Sequence, residues 1–167
     1  LGGNTDFPAY FRKYGGAVLT TTIDKYIYCI VKERFDKQIW INYSIKEIVN
    51  NIKDIKHDLV REAMKLVGVT EGIEITFLSD IPSEGSGLGS SSALIVGILN
   101  AVYSLLNKKI TKQQLANYTN HIEREILCEA GGRQDPFWSS FGNVGSLEIK
   151  RDGRMIYKKF DLSSRSQ

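Results

Sequence analysis

Pro82-Ser83-Glu84-Gly85-Ser86-Gly87-Leu88-Gly89-Ser90-Ser91-Ser92-Ala93 is the stretch on which the reading turns. Before it, Ile73, Ile75 and Phe77 alternate with Glu74 and Thr76, which predicts a strand. After it, an apolar run predicts a helix from about Ser90 to Leu106. The glycines let the backbone approach a ligand closely and take up positive φ. The helix start presents free N–H groups and the positive end of its dipole. A Gly/Ser loop at a strand-to-helix junction is therefore an expected anion site, most often for phosphate. It is not a Walker A loop, because no Gly-Lys-Ser/Thr follows, nor has it the dinucleotide spacing. Taken alone, the same residues also suit a plain turn that caps a helix through Ser90.

The elements around the loop give the fold class. Ala17 to Ile23 and Tyr26 to Val31 read as strand, broken at Asp24-Lys25, and Ile39 to Tyr43 as a third. Ser44 to Lys56 is ambiguous. Leu59, Val60, Ala63, Met64 and Val67 recur at helical spacing over Asp58 to Val67, with Gly68 as the stop. Thr111 and Gln114 form a capping-box pattern for a helix whose buried face is read as Leu115, Tyr118, Ile122 and Ile126. Asp152-Gly153 fits the turn of a hairpin. This order predicts an α+β fold, a mixed β-sheet with helices packed on one face.

Composition removes several classes of function. The chain has 167 residues, 42% hydrophobic and 25% charged, with a net charge of +3, so a folded domain is expected rather than disorder. Cys29 and Cys128 are the only cysteines, and His57 and His121 are isolated, which excludes a disulfide scaffold and a zinc finger. No Lys/Arg block points to nucleic acid. The longest apolar stretch, Ala93 to Leu106, falls short of the ~20 residues of a membrane span. No signal peptide is visible, and a cytoplasmic location is the expectation. The opening at Leu1 without methionine and the polar Ser163 to Gln167 lead us to expect a fragment.

The loop resembles the phosphate loop of the GHMP sugar and mevalonate kinases, Pro-x-x-x-Gly-Leu-Gly-Ser-Ser-Ala, with the Pro-to-Gly spacing one residue longer and Ser92 before Ala93. Leu1-Gly2-Gly3-Asn4-Thr5-Asp6-Phe7 is similar to the substrate loop of that family's heptose kinase branch. Gly132-Arg133-Gln134-Asp135, followed by Phe141-Gly142, is similar to its Gly-Lys-Gln-Asp segment. Asp24 to Tyr28 and Ile55 to Ala63 also resemble that branch, so the likeness covers nearly the whole chain. Two residues depart from the pattern: Pro136, where a polar residue is usual, and Cys128, where glycine commonly ends the helix.

The resemblance implies a two-layer, ribosomal-protein-like fold for 1–160, the family's N-terminal ATP-binding domain without its first strand. Residues 161–167 would lead towards a C-terminal domain. It implies ATP and Mg²⁺ as cofactors and a small-molecule sugar phosphate as partner, with neither nucleic acid nor membrane. The reaction implied is phosphorylation of the anomeric hydroxyl of a heptose 7-phosphate. Another sugar kinase of the fucokinase kind, a mevalonate-type kinase and a binding-only module of the same fold are the alternatives.

The resemblance also distributes roles. Gly85, Ser86, Gly87, Leu88, Gly89, Ser90, Ser91 and Ser92 would hold the ATP phosphates. Asp135 would be the catalytic carboxylate; on its own chemistry it equally suits a helix N-cap with Pro136 following. Glu123 and Ser91, with Ser90 as substitute, would ligate Mg²⁺; read alone, Glu123 fits a solvated helix face beside Arg124 and Glu125. Gly3, Asn4, Thr5 and Asp6 would bind the sugar, although Asp6 before Phe7-Pro8 also suits a turn. Arg133, and with it Arg12 and Lys13, would meet a substrate phosphate or serve as ordinary surface charge. Tyr26, Tyr28, Trp40 and Tyr43 read as strand core or as an adenine-side wall.

Overall fold

The computed structural model describes residues 4–82 and 87–160. Leu1, Gly2, Gly3, Ser83, Glu84, Gly85, Ser86 and 161–167 lie outside the described residues, and with them part of the expected substrate and phosphate loops. The chain runs α1 (Pro8–Tyr14), β1 (Gly16–Thr21), β2 (Ile27–Glu33), β3 (Ile39–Asn42), β4 (Lys46–Val49), α2 (Asp58–Val67), β5 (Ile73–Ser79), α3 (Ser90–Leu105), α4 (Lys112–His121), α5 (Asp135–Phe141), β6 (Val144–Ile149) and β7 (Met155–Lys159). The α+β class holds.

Sequence signals act where expected. Gly68 ends α2 in the left-handed conformation, its N–H donating to Met64 and Lys65 carbonyls. Thr111 and Gln114 form the full capping box of α4. Asp152-Gly153 turns β6 into β7, with Gly153 at φ +87°.

The strands, expected in one mixed sheet, are divided between two. One sheet is antiparallel, in the order β1-β6-β7; the other is mixed, β2-β5-β3-β4, with β3 and β5 parallel. The break at 22–26 is why: it releases β1 to pair with β6 while β2 pairs with β5. The mixed sheet buries Ile39, Ile41, Ile73 and Ile75 against α2 and α3, chiefly through Met64, Ile95, Ile98 and Leu99. The other sheet buries Leu147 and Ile149 with Phe11 of α1 and Phe137 and Trp138 of α5. Helix α3 lies between the two cores, packed on β2, α2, α4 and α5. Its start, and the start of α5, are thereby fixed side by side. Among the described residues no helix is long and apolar enough to cross a membrane.

Helix α1 is an addition to the expected elements. Its signal lies in the sequence all the same: Pro8 opens it and Gly15 closes it, the usual asymmetry of helix ends. The helix folds the Asn4–Phe7 turn back onto β1, where Thr5 Oγ1 donates to the Ala17 carbonyl at 2.7 Å. Gly16 allows that approach; a Cβ there would stand 2.2 Å from the Thr5 carbonyl oxygen.

After α4 the helix continues through one π turn, Ile122–Ile126. The wider turn breaks the 3.6-residue periodicity on which the buried face was predicted. Leu115 and Ile122 are buried as expected, but Ile126 is 42% exposed and Glu123 is fully buried in its place.

Candidate functional site

The described end of the Gly/Ser loop behaves as a helix-start anion site requires. Gly87 and Gly89 have φ of +63° and +73°, and Gly89 is the residue from which α3 begins. Ser90, Ser91 and Ser92 form the first turn of α3, whose leading N–H groups have no partner within a helix.

Glu123 faces this turn from the π segment. The Ser91 hydroxyl donates to Glu123 Oε1 at 2.9 Å and the Ser92 hydroxyl to the same oxygen at 2.7 Å. The solvated-face reading of Glu123 is thus excluded by burial. Burial pushes its carboxyl upward, against the two serine hydroxyls, which pull it down. Glu125 points away and pairs with His121 at 2.7 Å on the exposed side.

Asp135 is the first residue of α5 rather than its N-cap, which is Gln134. Pro136 follows at a helix start, where its missing N–H costs nothing. The carboxylate packs against the loop: a Cβ on Gly89 would lie 3.3 Å from both Cβ and Cγ of Asp135. Burial raises the Asp135 carboxyl above the ordinary aspartate range, the nearby Asp6 charge raises it further, and Arg124 opposes both.

Asp6 does lie in the Asn4–Phe7 turn, as the turn reading has it, but with its side chain buried, 2% exposed. Its Oδ2 accepts from the Gln134 N–H at 3.3 Å, and Gly132 passes so close that a Cβ there would stand 1.7 Å from the same oxygen. Asp6, Asp135 and Gly89 therefore form one contiguous group, and Ser91, Ser92 and Glu123 form another one helical turn along. Asp6→Asn is expected to lower the Asp135 pKa by removing the neighbouring negative charge. Titration of the Asp135 carboxyl by carbon NMR checks this, and an unmoved midpoint contradicts it.

Two cavities flank the loop. One, of about 540 Å³, is lined by Gly87, Gly89, Asp135, Thr21, Trp138 and Lys25. The other, of about 600 Å³, is lined by Tyr43, His57, Phe77, Leu78, Ser90 and Ser91. In the second, Tyr43 stacks on Phe77 at 5.3 Å with 10° between the rings, and His57 stands edge-on to both. Glu47 builds this wall, accepting from the Tyr43 hydroxyl at 2.8 Å and from the Lys56 and His57 N–H groups. Burial and that carboxylate push the Tyr43 phenol up to about 12, so it remains a neutral donor.

Of the four aromatics read as core or wall, Tyr43 alone lines the Phe77 cavity. Tyr26 and Tyr28 are 55% and 49% exposed and are not core: Tyr28 is on an exposed position of β2, and Tyr26, just before that strand, lines the Asp135 cavity instead. Trp40 lies between Arg34 and Lys46. Arg12 and Lys13 sit on exposed positions in the last turn of α1, outside the lining of either cavity. Arg133 is half-buried, its guanidinium 5.8 Å from the Phe11 ring centroid and its Nε buried without a protein partner. Asn4 is exposed, with φ +65°.

Lys25 and Arg124 carry no assignment from the sequence. Lys25 figures there as a break between strands and as part of the Asp24–Tyr28 likeness, without a role of its own, and nothing local announces that the break lines a cavity. Arg124 reads as surface charge until the π turn brings its side chain inward.

The GHMP kinases N terminal domain matches residues 45–143. The chain belongs to the GHMP kinase family. Among its relatives is D-glycero-alpha-D-manno-heptose 7-phosphate kinase of Campylobacter jejuni, 34% identical, covering 93% of this chain and 49% of that protein. A mevalonate kinase of Archaeoglobus fulgidus is 29% identical over 90% of this chain and 52% of its own. The crystal structure of a D-glycero-D-manno-heptose 1-phosphate kinase from Bacteroides thetaiotaomicron superposes with a TM-score of 0.88 at 27% identity, covering 97% of this chain and 56% of that one. The chain thus spans about half the length of these relatives.

Proposed function

We propose that this chain is the nucleotide-binding half of an ATP- and Mg²⁺-dependent sugar kinase that phosphorylates the anomeric hydroxyl of a heptose 7-phosphate. The observation that carries the reading is the contact of Asp135 with the loop at Gly89, with Asp6 beside it. The end of a phosphate loop and an acceptor-side carboxylate then share one cavity, and the Asp6 carboxylate is packed behind its wall, bonded to the N–H of the lining residue Gln134.

The two cavities divide the work. The aromatic cavity of Tyr43, His57 and Phe77 suits a nucleobase, and Ser90 and Ser91 lead from it to the helix start, where N–H groups would hold the phosphates. The cavity on the Asp135 side would take the sugar. Asp6 and Arg133 stand behind the lining residue Gln134 and do not themselves line that cavity; reached past it, Asp6 would accept from the sugar hydroxyls and Arg133, with an unpartnered buried Nε, would meet the sugar's phosphate. Asp135 would take the proton of the attacking hydroxyl as that oxygen bonds to the γ-phosphorus and the bond to the β,γ-bridging oxygen breaks, releasing ADP.

The donor set fits Mg²⁺. Ser91 Oγ and the Glu123 carboxylate are hard oxygen donors 2.9 Å apart, a pair of the kind that Mg²⁺ takes together with phosphate and water. Bound there, the ion would offset the charge of the transferring phosphoryl group. Ser92, whose hydroxyl also reaches Glu123, would hold that carboxylate in place.

We also assign 1–160 to the N-terminal domain and 161–167 to the connection towards a C-terminal one. The Phe160 N–H donates to the Val144 carbonyl at 2.9 Å, and Val144 pairs with Thr21 at the rim of the Asp135 cavity. Phe160 therefore stands beside the sugar side of the site, and a C-terminal domain would be reached from there.

The test is a full-length assay with ATP against heptose 7-phosphates, other sugars and mevalonate. The expected result is magnesium-dependent ADP release with a heptose 7-phosphate above all others. Preference for fucose or mevalonate would replace the substrate. ATP binding with no turnover on any acceptor would leave a binding module and overturn the kinase reading.

A further inference from the structure

Gly131 and Gly132 run between two opposite charges. On the Gly132 side lies the Asp6 carboxylate, already too close for any side chain. On the Gly131 side lies the guanidinium of Arg124: a Cβ on Gly131 would stand 2.8 Å from both Nη1 and Nη2 and 2.9 Å from Cζ. Three and four residues before Asp135, the paired glycines thus leave room for the Asp6 carboxylate on one side and the Arg124 guanidinium on the other, and Gly131 also has a φ of +156°, which strains any other residue.

Arg124 reaches this place because it follows Glu123 in the π turn. Its side chain is only 12% exposed. Nη1 donates to the Glu129 carbonyl at 3.0 Å, and Nη2 approaches Glu123 Oε2 at 3.4 Å. The Glu129 N–H in turn donates to the Glu123 carbonyl at 2.9 Å. One planar fork therefore touches the Glu123 carboxylate, the backbone at Glu129 and the face of Gly131.

We propose that Arg124 is a positioning residue for phosphoryl transfer, its guanidinium locking the Glu123 carboxylate to the 129–132 segment so that the serine–Glu123 group and Asp135 keep a fixed separation. The proposal rests on the kinase reading above for its catalytic consequence. A charge is a costly way to fill this space. Apolar residues in place of both Arg124 and Glu123 would fill the space without the desolvation penalty, whereas removing Arg124 alone strands the buried Glu123 carboxylate without its counter-charge. What an apolar chain cannot do is hold a carboxylate and a carbonyl at once, and a lysine, as a point charge, does so without the fork.

The experiment uses Arg124→Met, Arg124→Lys and Gly131→Ala in the full-length enzyme. Arg124→Met is expected to melt below wild type, because the buried Glu123 carboxylate loses its counter-charge, and, assayed where it is folded, to lose about 10²-fold in kcat, the order that a ~1 Å misplacement costs. KM for ATP should stay within about threefold, since the loop and the aromatic cavity are untouched. Arg124→Lys should recover part of the loss. Gly131→Ala, by displacing the guanidinium, should reproduce it, and the two losses should not multiply when combined. Amide exchange gives a readout independent of turnover: in Arg124→Met the amides of Glu129 and Gln134 should speed up by at least about tenfold more than those of the α3 core. Exchange at both amides that rises no more than in the α3 core overturns the proposal, as does a kcat within about threefold of wild type. If wild type itself transfers no phosphate, the kinase reading fails and exchange alone decides whether Arg124 holds the segment. Should Arg124→Met not fold, Arg124→Lys is read against the same two measures.

Discussion

Asp135→Asn should lower turnover of the full-length enzyme by about 10²–10⁴-fold, the usual worth of a positioned acid or base. The amide keeps the size of the side chain against Gly89 but cannot take a proton from the acceptor hydroxyl. ATP affinity should be nearly unchanged, because the loop, Glu123 and the aromatic cavity remain. Stability gives the second half of the test. The fold raises the Asp135 carboxyl through burial and the Asp6 charge. A carboxyl raised in the folded state costs stability wherever it is ionised, so the cost is present at neutral pH and disappears at acid pH. Asparagine removes that cost, at the expense of a favourable charge at the start of α5 worth about 0.3–1 kcal/mol. The melting temperature at pH 7 should therefore be no lower than wild type, and the difference should shrink or reverse at acid pH. Near-normal turnover would overturn the catalytic role of Asp135, whereas a marked fall in melting temperature would make it a structural residue of the helix start.

Legibility in the sequence followed how local each signal was. The bounds of α2, the start of α3 and the capping box of α4 rest on residues within a few positions of one another, and the structure has them where the sequence places them. The division into two sheets was not legible, because the partner of β1 is β6, more than a hundred residues away, and no residue in either strand names the other. The burial of Glu123 was hidden by the π turn. A 3.6-residue count puts Ile126 inside and leaves Glu123 outside with the charges of Arg124 and Glu125 that follow it, so periodicity assigns each to the wrong side.

The site obeyed the same rule. The Gly/Ser loop was readable because backbone geometry, helix dipole and serine hydroxyls coincide within a dozen residues. The pairing of Asp6 with Gln134 and the fit of Gly132 against it join the two ends of the chain, and only the resemblance brought those residues together beforehand. Arg124 and Lys25 escaped both kinds of reading. Lys25 lies in the Asp24–Tyr28 stretch that the resemblance covers, but no role came with it; both roles depend on which way a distorted turn and a strand break face, and charge in a sequence carries no direction.

Gly132→Ala should be the most damaging small substitution in the site. Its Cβ would stand 1.7 Å from Asp6 Oδ2 and 2.3 Å from Asp6 Cγ. Asp6 is 2% exposed and held by the Gln134 N–H, so it cannot swing aside at low cost. Overpacking of this kind costs about 1–3 kcal/mol and sometimes more, and for a chain of this size each kcal/mol lowers the melting temperature by about 2–4 °C. Turnover should fall as well, because the backbone leading to Asp135 must shift. Asp6→Ala in the same chain separates the two effects. It vacates the space that the new methyl group needs, so Asp6→Ala/Gly132→Ala should regain much of the melting temperature lost by Gly132→Ala alone. It should regain no turnover, since the carboxylate proposed to hold the sugar hydroxyls is gone. A Gly132→Ala variant as stable as wild type would contradict the contact. A double variant that recovers turnover together with stability would show that Asp6 serves packing rather than the acceptor.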